Sequence, residues 1–183
     1  VFEALALGAR NMVMTAILLC SVGLVVNVIA TAGIGNTFSL MITNWSGNSL
    51  LIAITLIGLA SLVLGMGLPV TAAYIVLGTL SAPALYNLIV DGQIVQILAA
   101  GNLGEEVKAV MMLALPDQIE MLSKPMAIEQ ARILLDAIPP DLAGTVRDMA
   151  LSPDAALFAL LSAHMIIFWL SQDSNVTPPV CLA

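Results

Sequence analysis

The sequence predicts an all-α membrane protein with interrupted apolar helices, and three observations carry that prediction. No Asp, Glu, Lys or Arg stands between Arg10 and Asp91, a run of 80 residues, where one bilayer crossing needs about 20. The chain is 60% hydrophobic and 9% charged, with a mean hydropathy of +1.05. A soluble domain carries about 25% charged residues, and so few charges cannot cover this much apolar surface in water. Finally, helix-breaking clusters fall within or beside apolar segments, at Gly65-Met66-Gly67-Leu68-Pro69 and at Asp173-Ser174-Asn175-Val176-Thr177-Pro178-Pro179. At membrane depth such backbone is tolerated only where it is buried in protein or lines a cavity.

Each element follows in order. Asn11 to Gly33 is apolar enough to span: its 23 residues reach about 35 Å against about 30 Å of hydrocarbon. Gly33-Ile34-Gly35-Asn36 reads as a helix stop. Phe38 to Thr43 is a second apolar piece, and Thr43 to Asn48 reads as a polar loop with Trp45 suited to the headgroup interface. Asn48 or Ser49 can cap the next helix. Leu50 to Leu64 is a helix of 15 residues, too short to cross alone at about 23 Å. After the Gly/Pro cluster, Val70 to Leu80 resumes a helical pattern, which Pro83 is expected to bend or end. Ala84 to Ala100 is weaker, and Asp91-Gly92 is expected to break it. Short apolar arms around a Gly/Pro tip describe a re-entrant hairpin.

Gly101 to Asp154 changes character. It holds nine acids and four bases, most of the charge behind the net of −7. Two or three short helices are expected there, lying on the membrane or packed beside it. Ser123-Lys124-Pro125 looks like a helix start. Met126, Ile128, Ala131, Leu134, Leu135 and Ile138 form a partly amphipathic stripe, and Pro139-Pro140 stops it. Ser152-Pro153-Asp154 is a helix entry with cap, N1 proline and first-turn acid. Ala155 to Leu170 follows as an apolar helix that breaks at Asp173. The organisation is therefore 1–100, a membrane segment with a spanning helix and a hairpin (tip 65–71); 101–154, a polar helical insertion; and 155–183, a discontinuous helix (break 173–179).

The absence of a basic patch argues against nucleic acid as a partner. Cys20 and Cys181 are far apart in apolar stretches and make neither a disulfide framework nor a metal site. Val1 and Ala183 both read as cut ends of a longer membrane protein.

Broken membrane helices can bind solutes and ions: unwound carbonyls coordinate cations, and half-helix N-termini attract anions. Gly65 and Gly67 permit unusual backbone, Pro69 releases carbonyls, and Met66 lies between the glycines. Thr71 adds a hydroxyl, as do Ser174 and Thr177 at the second break, with the amide oxygen of Asn175. Such neutral oxygens suit a hard cation. Either cluster alone is equally a simple kink; two breaks on undersized segments form the transporter pattern. Asp173 is a functional candidate as an intramembrane acid. His164 is a packing histidine or a coupling group, and Asp91 lies beside Gly92 where a loop can reach water.

Leu64-Gly65-Met66-Gly67-Leu68-Pro69-Val70-Thr71-Ala72-Ala73-Tyr74 resembles the signature of the large membrane subunit of tripartite ATP-independent periplasmic (TRAP) transporters, in the fused-permease branch that works with TAXI-type binding proteins. The usual form has Thr where this chain has Val70. Leu80-Ser81-Ala82-Pro83-Ala84-Leu85, Ala163-His164-Met165-Ile166 and Ser174-Asn175-Val176-Thr177-Pro178-Pro179-Val180 continue the match, and Glu3 to Met41 looks like the region before the hairpin. The resemblance implies an elevator-type secondary transporter of the bacterial inner membrane. Sodium, the coupling ion, would drive uptake of a small organic acid delivered by a periplasmic binding protein, with a small membrane subunit or its fused equivalent and the rest of the permease as partners. Gly65 to Thr71 would be a hairpin tip facing the unwound Ser174 to Pro179, with Gly65, Gly67, Thr71, Asn175 and Thr177 around sodium. No covalent cofactor is implied. The polar insertion departs from the family's short connection; if periplasmic, it would face the binding protein. Arg10 hints at a cytoplasmic N-side.

Two other classes compete. A passive membrane-anchoring domain predicts that both tips tolerate substitution. An intramembrane enzyme needs a catalytic pair, for which Asp91 and Asp173 are the candidates, in no recognised pattern.

Overall fold

The computed structural model describes residues 1–118, 122 and 124–177. Pro178, Pro179, Cys181 and Ser123 lie outside the described residues. Among those described the chain is helical, with no strand. Contacts divide it into two compact units: residues 1–85 with the chain from His164 onward, and Tyr86–Ala163. The second is wider than the polar segment of the sequence. Three helices are long and apolar enough to cross a membrane: Phe2–Thr31, Val70–Ala99 and Pro153–Asn175.

In the first unit, α1 (Phe2–Thr31) starts earlier than the composition predicts, so Arg10 lies inside the helix rather than before it. Leu18, Val22, Val26 and Ile29 form one stripe of α1, packed around Ala72 and Val76. Most of its remaining apolar surface is exposed, as suits a helix that is hydrophobic on every side. Gly33 ends α1 with φ +68°, a conformation that costs an L side chain energy. The Gly33 N–H bonds the Ala30 carbonyl, and its own carbonyl accepts from Thr37.

The next helix, α2 (Ile34–Ser46), therefore begins without a loop. It corrects the expectation of a polar loop from Thr43. The Thr43 and Ser46 hydroxyls donate to the Ser39 and Thr43 carbonyls within the helix; bonded backward in this way, they do not unwind it. Gly47 and Asn48, both with positive φ, make the turn instead. Ser49 occupies the N-cap of α3 (Leu50–Gly65), but its side chain makes no capping bond. Ala53, Ile57, Ser61 and Gly65 are the buried residues of α3, a single face at i, i+4, i+8 and i+12.

The following helix, α4 (Val70–Ala99), does not end at Pro83 and runs unbroken through Asp91 and Gly92, against the expected break. At Pro83 and Asp91 a residue from another helix stands against α4. Pro83 has no N–H, so the Thr79 carbonyl loses its i+4 donor. Gly35 of α2 approaches that carbonyl so closely that a Cβ there would lie 3.2 Å away. Asp91 is neutralised in the helix by Arg147, whose Nε and Nη2 donate to its two carboxylate oxygens at 2.7 and 2.9 Å.

The second unit has its own core. Val90, Ile94, Val95 and Leu98 of α4 pack with residues of α5 (Glu105–Ala114), α6 (Ile128–Asp136), α7 (Pro140–Ala150) and Ala159 of α8 (Pro153–Ser171). The polar segment thus folds into a small helical body around the end of α4. The stripe read from the sequence is mostly inside: Ala131, Leu134 and Ile138 are buried, Met126 and Leu135 are half-buried, and Ile128 is exposed. The end of α4 is a Schellman turn: Gly101 N–H bonds Leu98 O and Asn102 N–H bonds Ile97 O, with Gly101 at φ +69°. Met126 N–H bonds Ala99 O at 3.1 Å, which holds the 125–126 backbone against α4. Hence α6 starts at Ile128 rather than at Ser123-Lys124-Pro125. Pro140 opens α7, and Ser152 caps α8 by accepting from Ala155 N–H at 3.3 Å.

Candidate functional site

The C-terminal turns of α3 and the end of α8 meet in the first unit. α8 stops being an α-helix at Ser171 and continues as a 3₁₀ turn over Gln172–Asn175. The break read from Asp173 onward falls partly in this 3₁₀ turn, and its Pro178-Pro179 lies outside the described residues. The Asp173 carbonyl accepts from Val176 N–H, Thr177 N–H and the Thr177 hydroxyl at 3.1, 3.0 and 2.7 Å, which keeps 173–177 in a tight turn.

Gly65 meets that turn. A Cβ at position 65 would lie 2.9 Å from Thr177 Oγ1 and 3.0 and 3.1 Å from the Ser174 Cα and N. Two of these neighbours are backbone atoms, so only glycine fits. Gly58, a turn and more earlier, faces the Leu170 side chain, and Ser61 Oγ donates to the Leu170 carbonyl at 2.7 Å. One face of α3, through Gly58, Ser61 and Gly65, is thus laid along the end of α8.

The oxygens at this junction are neutral. Ser174 is 1% exposed, and its hydroxyl is buried without a hydrogen-bond partner. A buried unpaired hydroxyl costs about 1–3 kcal/mol unless something else completes it. Pro69 has no N–H to give the Gly65 carbonyl, which is freed in the same place in the chain. Thr177 Oγ1 is committed as a donor but keeps acceptor capacity. Among the described residues no three His, Cys, Asp or Glu side chains gather, so a cation at this junction would meet hydroxyl and carbonyl oxygens.

The predicted site residues divide. Gly65, Ser174 and Thr177 are brought together. Asn175 is exposed, with its amide on Gln172 Oε1 at 3.1 Å. Met66, Gly67, Pro69 and Thr71 stand outside the junction, exposed. Gly67 and Pro69 instead line an apolar groove of about 410 Å³ with Met14, Leu18 and Val25 of α1. Neither Gly65 nor Gly67 takes a positive φ, which corrects the expectation of a glycine-only backbone. Gly65 is required for close approach, and Gly67 has nothing within 4 Å of a Cβ.

His164 Nδ1 lies 3.2 Å from the Tyr74 hydroxyl, and the Tyr74 ring stands edge-on to Phe168 at 6.1 Å. The histidine thus lies between α4 and α8 with a hydrogen bond to Tyr74. Asp91 is engaged by Arg147 in the other unit. That bond, more than any other influence, raises the Arg147 pKa, although burial opposes it. Asp136 is also raised, first by burial and then by the nearby Asp91 carboxylate, with Arg132 opposing. Sequence reasoning missed Ser61; the signal available was a small hydroxyl residue one turn before Gly65 in a mostly apolar helix.

No match to the chain is found among curated proteins or solved structures. A family model does match, over residues 1–183, and its description is the DctM component of the tripartite ATP-independent periplasmic transporter. With apolar spans, a helix break and a glycine contact between two such breaks already in view, that match covers the whole chain. The protein is a multi-pass membrane component of a transporter, not an enzyme, and it belongs to the DctM family of TRAP transporters.

Proposed function

We propose that this chain is the part of a TRAP permease in which a sodium ion is held between a re-entrant hairpin tip and an unwound helix, in the fused, TAXI-associated branch. A TRAP large component works with a periplasmic solute-binding protein and a small membrane subunit. The solute is a small organic acid, and transport is of the elevator type across a bacterial inner membrane. The second unit faces the binding protein. The observation that carries the ion reading is the contact of Gly65 with Ser174 and Thr177 around the unpartnered Ser174 hydroxyl. That donor set suits a hard cation. When bound, the ion completes the hydroxyl and carbonyl oxygens that the two chain breaks leave over. Its entry with the membrane potential supplies about 2.3 kcal/mol per charge per 100 mV.

The test is solute uptake into proteoliposomes by the full permease with its binding protein, with and without a sodium gradient. Sodium-dependent uptake that Ser174→Ala and Thr177→Val weaken supports the reading. Uptake indifferent to sodium removes the sodium assignment and moves Asp173 and His164 forward as proton-coupling groups.

A further inference from the structure

We propose that Ser61 is a positioning residue of the junction: its hydroxyl holds the Leu170 carbonyl just before the helix changes type, and so fixes the 3₁₀ turn against α3. The proposal rests on the ion-site reading above and deepens it. In a continuous α-helix the Leu170 carbonyl accepts from the N–H four residues on, that of Ser174. A 3₁₀ turn bonds three residues back instead, so where the helix changes type after Ser171 the donor in register with the Leu170 carbonyl shifts from Ser174 N–H to Asp173 N–H, and the carbonyl's second lone pair is open to a side chain. Ser61 Oγ reaches it at 2.7 Å from 109 residues away in the chain.

This use of a hydroxyl departs from the pattern of the molecule. The hydroxyls of Ser21, Thr31, Thr55, Thr79 and Ser171 donate to carbonyls three or four residues back in their own helices. Ser61 has the same local option, the Ile57 carbonyl, and does not use it. Its side chain is 1% exposed and sits between Gly58 and Gly65, the two α3 positions in contact with Leu170 and Ser174. Small residues on that face let the helices approach, and one hydroxyl then supplies a bond from α3 to α8. Where the α-helix ends determines where Ser174 and Thr177 stand against Gly65. Ser61 touches none of the proposed ion ligands and acts through Leu170.

The experiment measures sodium-dependent uptake and backbone amide exchange over 172–177 in the full permease, for wild type, Ser61→Ala, Ser61→Cys and Ser61→Thr. Ser61→Ala is expected to raise the half-saturating sodium concentration about 5–10-fold, the effect of one lost hydrogen bond, with the maximal rate within about twofold. It also accelerates exchange at 172–177. Ser61→Thr, which keeps the hydroxyl, restores both. Ser61→Cys keeps the volume with a weak donor and moves in the same direction as alanine, so the result does not depend on alanine folding. If Ser61→Ala and Ser61→Cys only lower thermal stability and leave sodium dependence and local exchange at wild-type values, the proposal is overturned. Wild-type uptake indifferent to sodium, with exchange at 172–177 still controlled by the Ser61 hydroxyl, removes the ion reading and upholds the positioning role.

Discussion

Gly65 and Gly67 look interchangeable in the sequence and are opposite in the structure. A methyl at 65 meets Thr177 Oγ1 at 2.9 Å and the Ser174 backbone at 3.0 Å, whereas a methyl at 67 meets nothing within 4 Å. We expect Gly65→Ala to push α3 and the 3₁₀ turn apart and cost about 1–3 kcal/mol, with loss of solute uptake. Gly67→Ala is expected to stay within about 0.5 kcal/mol of wild type. Thermal unfolding in detergent together with uptake separates them; equal damage from both would show that the contact at Gly65 is not what the junction needs. The sequence announced the pair as unusual because two glycines and a proline interrupt an apolar run. It did not say which glycine is crowded, because crowding at 65 comes from residues more than 100 positions away.

Among the elements, the local signals were the legible ones. The Ser152 cap and the stop at Gly33 depend on a few neighbouring residues and are where the sequence puts them, and the Pro139-Pro140 stop falls just after α6 ends at Asp136. The errors occurred where a distant partner overrules a local breaker. Asp91-Gly92 reads as a break, yet Arg147 holds Asp91 in the helix. Pro83 reads as a bend or an end, yet α4 does not end there, and α2 comes close at Gly35. That contact makes its own prediction. Ala in place of an exposed helical Gly ordinarily stabilises by about 0.5–1 kcal/mol, and Gly78→Ala, with open space around it, should behave so. Gly35→Ala must push its methyl against the Thr79 carbonyl, a rigid backbone atom, and should lower the unfolding temperature instead. A gain at both positions would mean that α2 moves away from α4 without cost.

On the scale of the whole molecule, each compact unit has a different principle of stability. The first is held by small residues and backbone-directed hydroxyls in apolar surroundings; the second has a leucine- and valine-rich core with one bidentate ion pair. Arg147→Ala leaves the Asp91 carboxylate unpaired and mostly buried, and should cost about 2–3 kcal/mol, somewhat under the figure for full burial. Faster amide exchange should be confined to α5–α7 and the end of α4. Exchange that also rose at 172–177 would contradict the division into two units. Asp136 adds a pH dependence to the same unit. Its pKa is raised on folding, so the folded form keeps a proton that the unfolded form gives up. Stability from this group is present at low pH and declines as pH rises above the ordinary carboxylate range. Asp136→Asn should flatten that slope in thermal unfolding measured across acid pH; an unchanged slope would assign it to another carboxylate. In the sequence the division shows only as a change in charge density at Gly101. The boundary at Tyr86 lies inside α4, where no composition signal marks it.

The joint at Gly33 has a geometric consequence. Because α2 starts at the very next residue, the two helices share no slack, and the phase of α2 is set by α1 through a couple of torsion angles. Adding one residue at that joint would turn Ser39, Ile42 and Ser46, the buried face of α2, through about 100° and present a different edge to α3. A connection with no spare chain acts like a keyed shaft: it transmits rotation faithfully, and it can be mis-assembled by a single tooth.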